Sequence, residues 1–149
     1  RMHQQGVVHL DVKPANVLLR TSGQPLLLDF GAAQTMDNDN RFGSFQTLTH
    51  GFAPPEQYLD GNLGPWTDIY GLAATIYNCI TGHSPPPALK RRDGASLEKL
   101  TVSRSGAYPY TLLKVVEDAL SLDQGQRPHD MHAFLSLAFG ASSHTPVKT

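Results

Sequence analysis

The chain has 149 residues, a length typical of one domain, and 40% of them are apolar. The 17% that are charged fall below the roughly 25% of an average soluble domain. Its 12 Lys and Arg against 13 Asp and Glu give a formal charge of −1, which excludes a basic surface for a nucleic-acid backbone. The single Cys79 excludes a disulfide scaffold, and no apolar run reaches the roughly 18 residues of a membrane span.

The first third of the chain is predicted to consist of short strands separated by turns. Residues 7–9 form a brief apolar segment, and residues 17–19 and 26–28 are apolar runs separated by a Ser-Gly turn. This spacing predicts a small antiparallel hairpin. The hairpin leads into Asp29-Phe30-Gly31, where Gly31 is expected to permit a sharp change of chain direction.

Residues 32–65 show no sustained periodicity, and a segment of this kind is usually functional or mobile. A flexible linker is the alternative. Four aromatic residues in or beside this region are costly to leave in water and count against it: Phe42, Phe45, Phe52 and Tyr58.

The remainder is predicted to be a mostly helical body. Residues 67–81 have apolar positions at three- and four-residue spacing, with Thr67 and Asp68 at the start and Gly82 at the end. Small and apolar residues cover most of this helix, so we expect burial on several sides, with Cys79 as a core residue. Residues 84–106 are predicted to be loop-rich, with residues 90–92 (KRR) as a solvated basic patch.

Two further amphipathic helices are predicted over residues 110–122 and 128–139, the second with Pro128 near its first position. A polar tail occupies residues 140–149. The expected fold class is therefore α+β, mainly α, with a small β-hairpin before a helical body. His129 and His132 lie three residues apart, but without a further ligand they predict no metal site.

Three polar clusters interrupt this scaffold, at residues 9–16 (HLDVKPAN), 29–31 (DFG) and 53–56 (APPE). Asp11 and Asn16 lie five residues apart, Asp29 follows after a hairpin-sized interval, and Glu56 follows 27 residues later. Each cluster alone is a weak signal. Their order and spacing together are specific.

In this order the clusters resemble the catalytic loop, the metal-binding turn and the end of the activation segment of protein kinases. Lys13 followed by Pro14 resembles the serine/threonine branch, and residues 49–58 and 68–72 resemble the eukaryotic-like serine/threonine kinases of bacteria. The resemblance covers about residues 3–139. It implies a kinase carboxy-terminal lobe that comprises four parts: catalytic loop 9–16, metal-binding turn 29–31, activation segment 29–56 and helical body 67–139.

The resemblance implies transfer of a phosphoryl group from ATP to Ser or Thr hydroxyls of protein substrates, with Mg²⁺ or Mn²⁺ as the metal. Asp11 would accept or orient the proton of the substrate hydroxyl, and Lys13 would bind the transferring γ-phosphoryl. Asn16 and Asp29 would supply oxygen ligands to the metal that bridges the ATP phosphates. Thr49 would contact Asp11 and Lys13 and shape the substrate site.

The other matched residues are implied to be structural. Glu56 would pair with Arg127 and tie the activation segment to the helical body. Asp68 would hydrogen-bond the backbone of the catalytic loop near His9, which is assigned no proton-transfer role. Phe30 would pack and fix the position of the metal-binding turn.

Two positions depart from the family's pattern. Leu10 stands where the catalytic loop commonly has an arginine that binds a phosphate on the activation segment. Leucine cannot bind phosphate, so we predict that the parent enzyme does not depend, through this residue, on phosphorylation near Thr47. His50 stands where a proline often follows Thr49, which leaves the peptide specificity open.

The Gly-rich loop, strand lysine and helix glutamate of the family's amino-terminal lobe have no match in the sequence. The chain is therefore expected to need that lobe in cis and to be inactive alone. Two other classes stay open: a pseudokinase-like or truncated module that binds a protein partner, and a kinase-like phosphotransferase for small molecules. A single cysteine fits a reducing cytoplasm, and membrane anchoring of the parent is left open.

Overall fold

The computed structural model describes residues 1–36 and 48–140. Predictions that concern residues 37–47, Thr47 among them, and the tail at 141–149 lie outside the described residues. Two small antiparallel sheets come first along the chain and six α-helices make up most of the rest of the described part. The predicted class, α+β and mainly α, is confirmed.

The two sheets each contain two short strands. β2 (Val17–Leu19) and β3 (Pro25–Leu27) form the predicted hairpin, with Val17 opposite Leu27. β1 (Val7–Val8) pairs with β4 (Gln34–Thr35), a pairing that the sequence analysis did not predict. Because β1 precedes the catalytic loop and β4 follows the metal-binding turn, this second sheet closes residues 9–33 into one compact unit.

α1 (Pro55–Tyr58) is a single turn, and α2 (Pro65–Thr81) is the longest helix of the described residues. α2 begins two residues earlier than predicted because Pro65 occupies the first helical position, where its missing N–H has no partner to lose. Gly82 ends the helix as predicted, in the left-handed conformation (φ 84°) that glycine adopts without strain.

The prediction of a loop-rich segment over residues 84–106 is wrong in part. α3 (Ala88–Arg92) and α4 (Leu100–Ser103) lie within it. Each helix is too short to show a 3.6-residue repeat in the sequence. Ala88 and Leu100 are fully buried, which shows that packing on the body stabilises these turns.

α5 (Tyr110–Ala119) and α6 (Met131–Phe139) complete the body. The prediction that α6 begins near Pro128 is wrong. Asp130 is the residue before the helix, and its Oδ1 accepts a hydrogen bond of 2.7 Å from the backbone N–H of Ala133. This side-chain cap fixes the start of α6 three residues later than predicted.

The core lies between α2, α5 and α6, and its members include Tyr70, Tyr77, Val116 and Phe134. The prediction that Cys79 is a core residue is wrong, since its side chain is exposed. Cys79 lies two residues, about 200°, beyond Tyr77 around α2 and so faces away from the core. Within residues 1–36 and 48–140, no helix is both long and apolar enough to cross a bilayer.

The basic cluster at residues 90–92 is also only partly solvated. Lys90 and Arg92 are exposed, as predicted. Arg91 instead turns inward, where its Nη1 donates to the Leu120 carbonyl at 2.6 Å and to the Tyr70 hydroxyl at 3.3 Å. Burial raises the pKa of Tyr70, with Arg91 acting in the opposite direction, so the phenol is a neutral member of the core.

Candidate active site

The catalytic loop is attached to α2 through Asp68, which is 6% exposed. Its Oδ2 accepts from the backbone N–H of His9 and its Oδ1 from that of Leu10, both at 2.8 Å. The His3 ring also contacts Oδ2, at 2.7 Å. The predicted bond from Asp68 to the loop backbone is therefore present, and it holds two consecutive amides.

The loop also lies close against the axis of α2. A Cβ atom added to Gly71 would lie 2.8 Å from the Val12 carbonyl oxygen, inside any normal contact distance. Only glycine at this position lets the helix and the loop approach so closely. Asp68 and Gly71, one helical turn apart, thus hold residues 9–12 against α2.

Four polar side chains contact one another next to this junction of the loop and α2. Asp11 Oδ1 accepts from the Thr49 hydroxyl at 3.0 Å, and Asp11 Oδ2 lies 2.9 Å from Lys13 Nζ. Lys13 Nζ also donates to Thr49 Oγ1 at 2.9 Å. Asn16 Nδ2 donates to Asp11 Oδ2 at 3.0 Å and to the Asp11 carbonyl at 2.8 Å. The cluster is accessible to a substrate, because Asp11 is 21% and Lys13 25% exposed.

Asn16 is oriented for binding a hard cation. Its amide nitrogen is directed at Asp11 by two hydrogen bonds, so its carbonyl oxygen points away from that residue. Carboxamide and carboxylate oxygens are the ligands that Mg²⁺ prefers. Asp29 adds a carboxylate to this donor set, and its Oδ1 accepts a hydrogen bond from the Gly31 N–H at 3.1 Å. The chemistry of these donors fits a divalent metal ion.

Asp29 is positioned through the residue before it. The Leu28 N–H donates to the Asn16 carbonyl at 2.8 Å, and the Leu28 carbonyl contacts His9 Nε2 at 2.9 Å. His9 Nδ1 accepts from the Asp11 N–H at 3.2 Å, so Nε2 is the ring nitrogen that donates to the Leu28 carbonyl. His9 is fully buried and links the catalytic loop to the metal-binding turn.

The turn at residues 29–31 differs from prediction in one respect. Asp29 has a positive φ (58°), whereas Gly31 does not. A Cβ atom on Gly31 would lie 3.0 Å from Asp29 Oδ1, so the glycine gives the carboxylate room and does not make the turn itself. Phe30 is 53% exposed and lies edge-on to the His9 ring, with the ring centroids 4.9 Å apart.

An ion-pair network joins α1 to the helical body. Arg127 donates from Nη1 to Glu56 Oε1 at 2.7 Å and from Nη2 to Oε2 at 3.0 Å, which is the predicted pair. Arg127 also donates from Nε to the Ser121 carbonyl, and its guanidinium lies over the Tyr70 ring. Glu56 Oε1 accepts a further bond of 3.1 Å from the Thr67 hydroxyl.

Sequence reasoning missed two contacts of α1. Gln57 Nε2 donates to the Leu10 carbonyl at 2.9 Å, and the Tyr58 hydroxyl lies 3.0 Å from His50 Nδ1. Burial raises the pKa of Tyr58, which keeps the phenol neutral. No spacing rule points to either contact, because both partners lie in segments without periodicity.

His129 contributes to no metal site in the described part of the chain. Its Nε2 lies 3.3 Å from Asp130 Oδ2, and both groups are largely exposed. The described residues contain no group of three or more His, Cys, Asp or Glu placed to hold a metal ion. Asn16 and Asp29 do not form such a group, since they supply only one carboxamide and one carboxylate.

Comparison with known proteins places this geometry in context. The family profile described as "Protein kinase domain" matches residues 1–137. The chain is 37% identical over 84 residues to the serine/threonine-protein kinase PknL of Mycobacterium tuberculosis, covering 56% of this chain and 21% of that protein. It is 32% identical over 141 residues to PknK of the same species, covering 85% and 12% respectively. The chain thus spans a small part of the curated relatives that it matches.

A solved structure described as the apo form of PpkA-294 is similar over most of the chain. The TM-score is 0.78 and the sequence identity is 35%, and the match covers 92% of this chain and 48% of that chain. The fold similarity therefore extends over the helical body as well as the motifs.

Proposed function

This chain belongs to the protein kinase family, and we propose that it forms the carboxy-terminal lobe of a serine/threonine protein kinase that phosphorylates Ser and Thr hydroxyls of proteins. The observation that supports this most strongly is the hydrogen-bonded cluster of Asp11, Lys13, Asn16 and Thr49. Kinases of this family use ATP and a divalent metal ion in general. We propose Mg²⁺ as the ion, with Mn²⁺ as a substitute.

In the proposed reaction the chain's residues position the reactants and move one proton. Asp11 orients the substrate hydroxyl and accepts its proton as the oxygen–phosphorus bond forms and the bond to ADP breaks. Lys13 holds the Asp11 carboxylate and brings a positive charge to the transferring phosphoryl. Thr49 bridges both side chains from the activation segment, so a substrate peptide bound beside Thr49 lies next to the catalytic pair.

Asn16 Oδ1 and the Asp29 carboxylate would hold the metal ion. When bound, Mg²⁺ and ATP supply the phosphoryl group and the positive charge that offsets the phosphate oxygens. The two ligand residues come from the two sides of the β2–β3 hairpin. The hydrogen bond from Leu28 to the Asn16 carbonyl holds them in register.

The ATP site needs groups that this chain does not supply. A lysine that binds the α- and β-phosphates and a glutamate that orients it belong to the other lobe of a kinase. We propose that the parent protein carries this lobe in cis and that residues 1–149 alone transfer little phosphate. The site described here contacts protein substrates through the segment around Thr49.

A non-catalytic module that binds a protein partner is the alternative from another class. It requires no ordered contact among Asp11, Lys13 and Asn16. The contacts at 2.9 and 3.0 Å therefore favour the enzyme.

The test is a phosphoryl-transfer assay on the full-length parent with Mg-ATP and a mixture of Ser- and Thr-containing proteins. The wild type should label Ser and Thr, and both Asp11→Asn and Asp29→Asn should lose almost all activity. Asp93→Asn, an exposed substitution at the end of α3, is the matched control and should keep wild-type activity. Equal activity in the wild type and in both active-site variants would contradict the proposal.

A further inference from the structure

Gln57 lies in α1 between two residues that have partners elsewhere. Glu56 binds Arg127 in the helical body, and Tyr58 contacts His50 beside the substrate segment. Gln57 makes the third contact of this turn, from its Nε2 to the Leu10 carbonyl at 2.9 Å. One helical turn thus connects the body, the substrate segment and the catalytic loop.

Leu10 adopts a backbone conformation that favours glycine. Its φ is 65°, in the left-handed region, and its side chain is 6% exposed. A branched residue keeps this conformation only where its surroundings fix it on both sides. Asp68 fixes the N–H side at 2.8 Å, and Gln57 fixes the carbonyl side.

The Leu10 carbonyl belongs to the same planar peptide group as the Asp11 N–H. That N–H donates to His9 Nδ1. The plane that leads into Asp11 is therefore held at one edge by Gln57 and at the other by His9. Rotation of this plane would turn the Asp11 side chain away from Lys13 and Thr49.

The space beside the Gln57 amide is small. The space enclosed by Leu10, Asp11, Thr49, Gln57 and neighbouring residues is about 10 Å³, which is about the minimum that one water needs. A side chain of the same length without an N–H removes the donor that Gln57 supplies to the Leu10 carbonyl and leaves little room for a water to replace it.

We propose that Gln57 is a positioning residue that sets the orientation of Asp11 through the Leu10 carbonyl. This rests on the proposed kinase function, in which Asp11 is the residue that touches the substrate. Gln57 itself touches neither substrate nor cofactor. Its effect should appear in the rate of phosphoryl transfer rather than in ATP binding.

The test uses the full-length parent with Gln57→Met, which keeps the length of the side chain and removes the donor. We expect kcat to fall about tenfold, the rate equivalent of one neutral hydrogen bond, with KM for ATP unchanged. The melting temperature should fall by a few degrees, because the Leu10 carbonyl loses its donor. Gln57→Leu should give the same result, which identifies the lost donor and not side-chain shape as the cause. Gln4→Met, at an exposed position, is the control and should leave all three quantities unchanged.

A second readout separates this proposal from the proposed function. Amide hydrogen exchange at Leu10 and Asp11 should accelerate in Gln57→Met and remain at the wild-type rate in Gln4→Met. If the wild-type parent transfers no phosphate, the proposed function fails and the exchange rates alone decide the role of Gln57. Unchanged kcat with unchanged exchange would overturn the proposal. So would an equal fall in kcat in Asp130→Ala, which removes a helix cap of α6 away from the site and lowers stability by a similar amount.

Discussion

Arg127 and Glu56 are 71 residues apart in the sequence and form a bidentate ion pair, with Nη1–Oε1 at 2.7 Å and Nη2–Oε2 at 3.0 Å. Arg127 is 5% and Glu56 8% exposed. The remaining hydrogen-bonding capacity of the pair is used by the Thr67 hydroxyl and by backbone carbonyls that include Ser121. The pair fastens α1 to the segment between α5 and α6, and the Thr67 hydroxyl joins the pair to α2, the helix that carries Asp68.

Removal of one partner of this pair should strongly destabilise the fold. Arg127→Met leaves the Glu56 carboxylate buried without a counter-charge, a situation that costs about 3–5 kcal/mol. Urea unfolding of the parent domain measures the loss. The exposed pair between Lys114 and Asp118 in α5 supplies the matched control, and Lys114→Met should cost less than about 1 kcal/mol.

The double variant Glu56→Met, Arg127→Met sharpens this test. It removes both charges together, so its cost should be clearly smaller than that of Arg127→Met alone. An Arg127→Met variant as stable as Lys114→Met would show that the pair does not fasten the two parts of the lobe.

Asp130 should make the stability of α6 dependent on pH. Its hydrogen bond from the Ala133 N–H is the main cause that lowers its pKa below the ordinary value of 3.8. A lowered pKa in the folded state stabilises the fold at pH values above the unfolded pKa, and this stabilisation is lost as the pH falls through the folded pKa. Asp130→Ala should cost about 1 kcal/mol at pH 7.

Thermal or urea unfolding at pH 7 and at pH 3 or lower checks this sign. The difference between wild type and Asp130→Ala should shrink at the lower pH, because the protonated carboxyl is a weaker cap. Asp130→Asn retains a neutral acceptor, so its stability at pH 7 should lie between those of the wild type and Asp130→Ala. A difference that grows as the pH falls would contradict the assignment.

Leu10 leads to a prediction about regulation. Its side chain is buried and apolar, so this position offers no cation for a phosphate on the activation segment. Phosphatase treatment of the full-length parent, with loss of phosphate verified by mass spectrometry, should leave kinase activity within about twofold of the untreated enzyme. Loss of activity that is restored by a phosphate near Thr47, a residue outside the described part, would refute this.

The motifs could be predicted because each combines residue types that the proposed phosphoryl transfer requires with a short sequence spacing. Asp11, Lys13 and Asn16 lie within six residues, so local chain geometry alone brings them together. The pairing of Glu56 with Arg127 followed from the resemblance, since no local rule connects residues 71 positions apart. The hairpin was predicted because its two apolar runs flank a clear turn signal.

Other features could not be predicted, for physical reasons. Gln57 and His3 act through single hydrogen bonds to groups far along the chain, and such bonds leave no periodic trace. The inward direction of Arg91 depends on the carbonyl at the end of α5, which only the packed fold places within reach. The chain turns at Asp29 and not at Gly31 as expected. Asp29 adopts the left-handed conformation, in which its carboxylate accepts a hydrogen bond from the Gly31 N–H.

The division of roles between Asp11 and Asp29 is the central claim. It is tested most directly by measuring Mg-ATP affinity and single-turnover rate in the full-length parent for Asp11→Asn and Asp29→Asn. We predict that Asp11→Asn keeps wild-type Mg-ATP affinity and loses about 10²- to 10⁴-fold in rate, the range for loss of a general base. Asp29→Asn should weaken the binding of Mg-ATP as well. A wild-type transfer rate in Asp11→Asn would contradict the account.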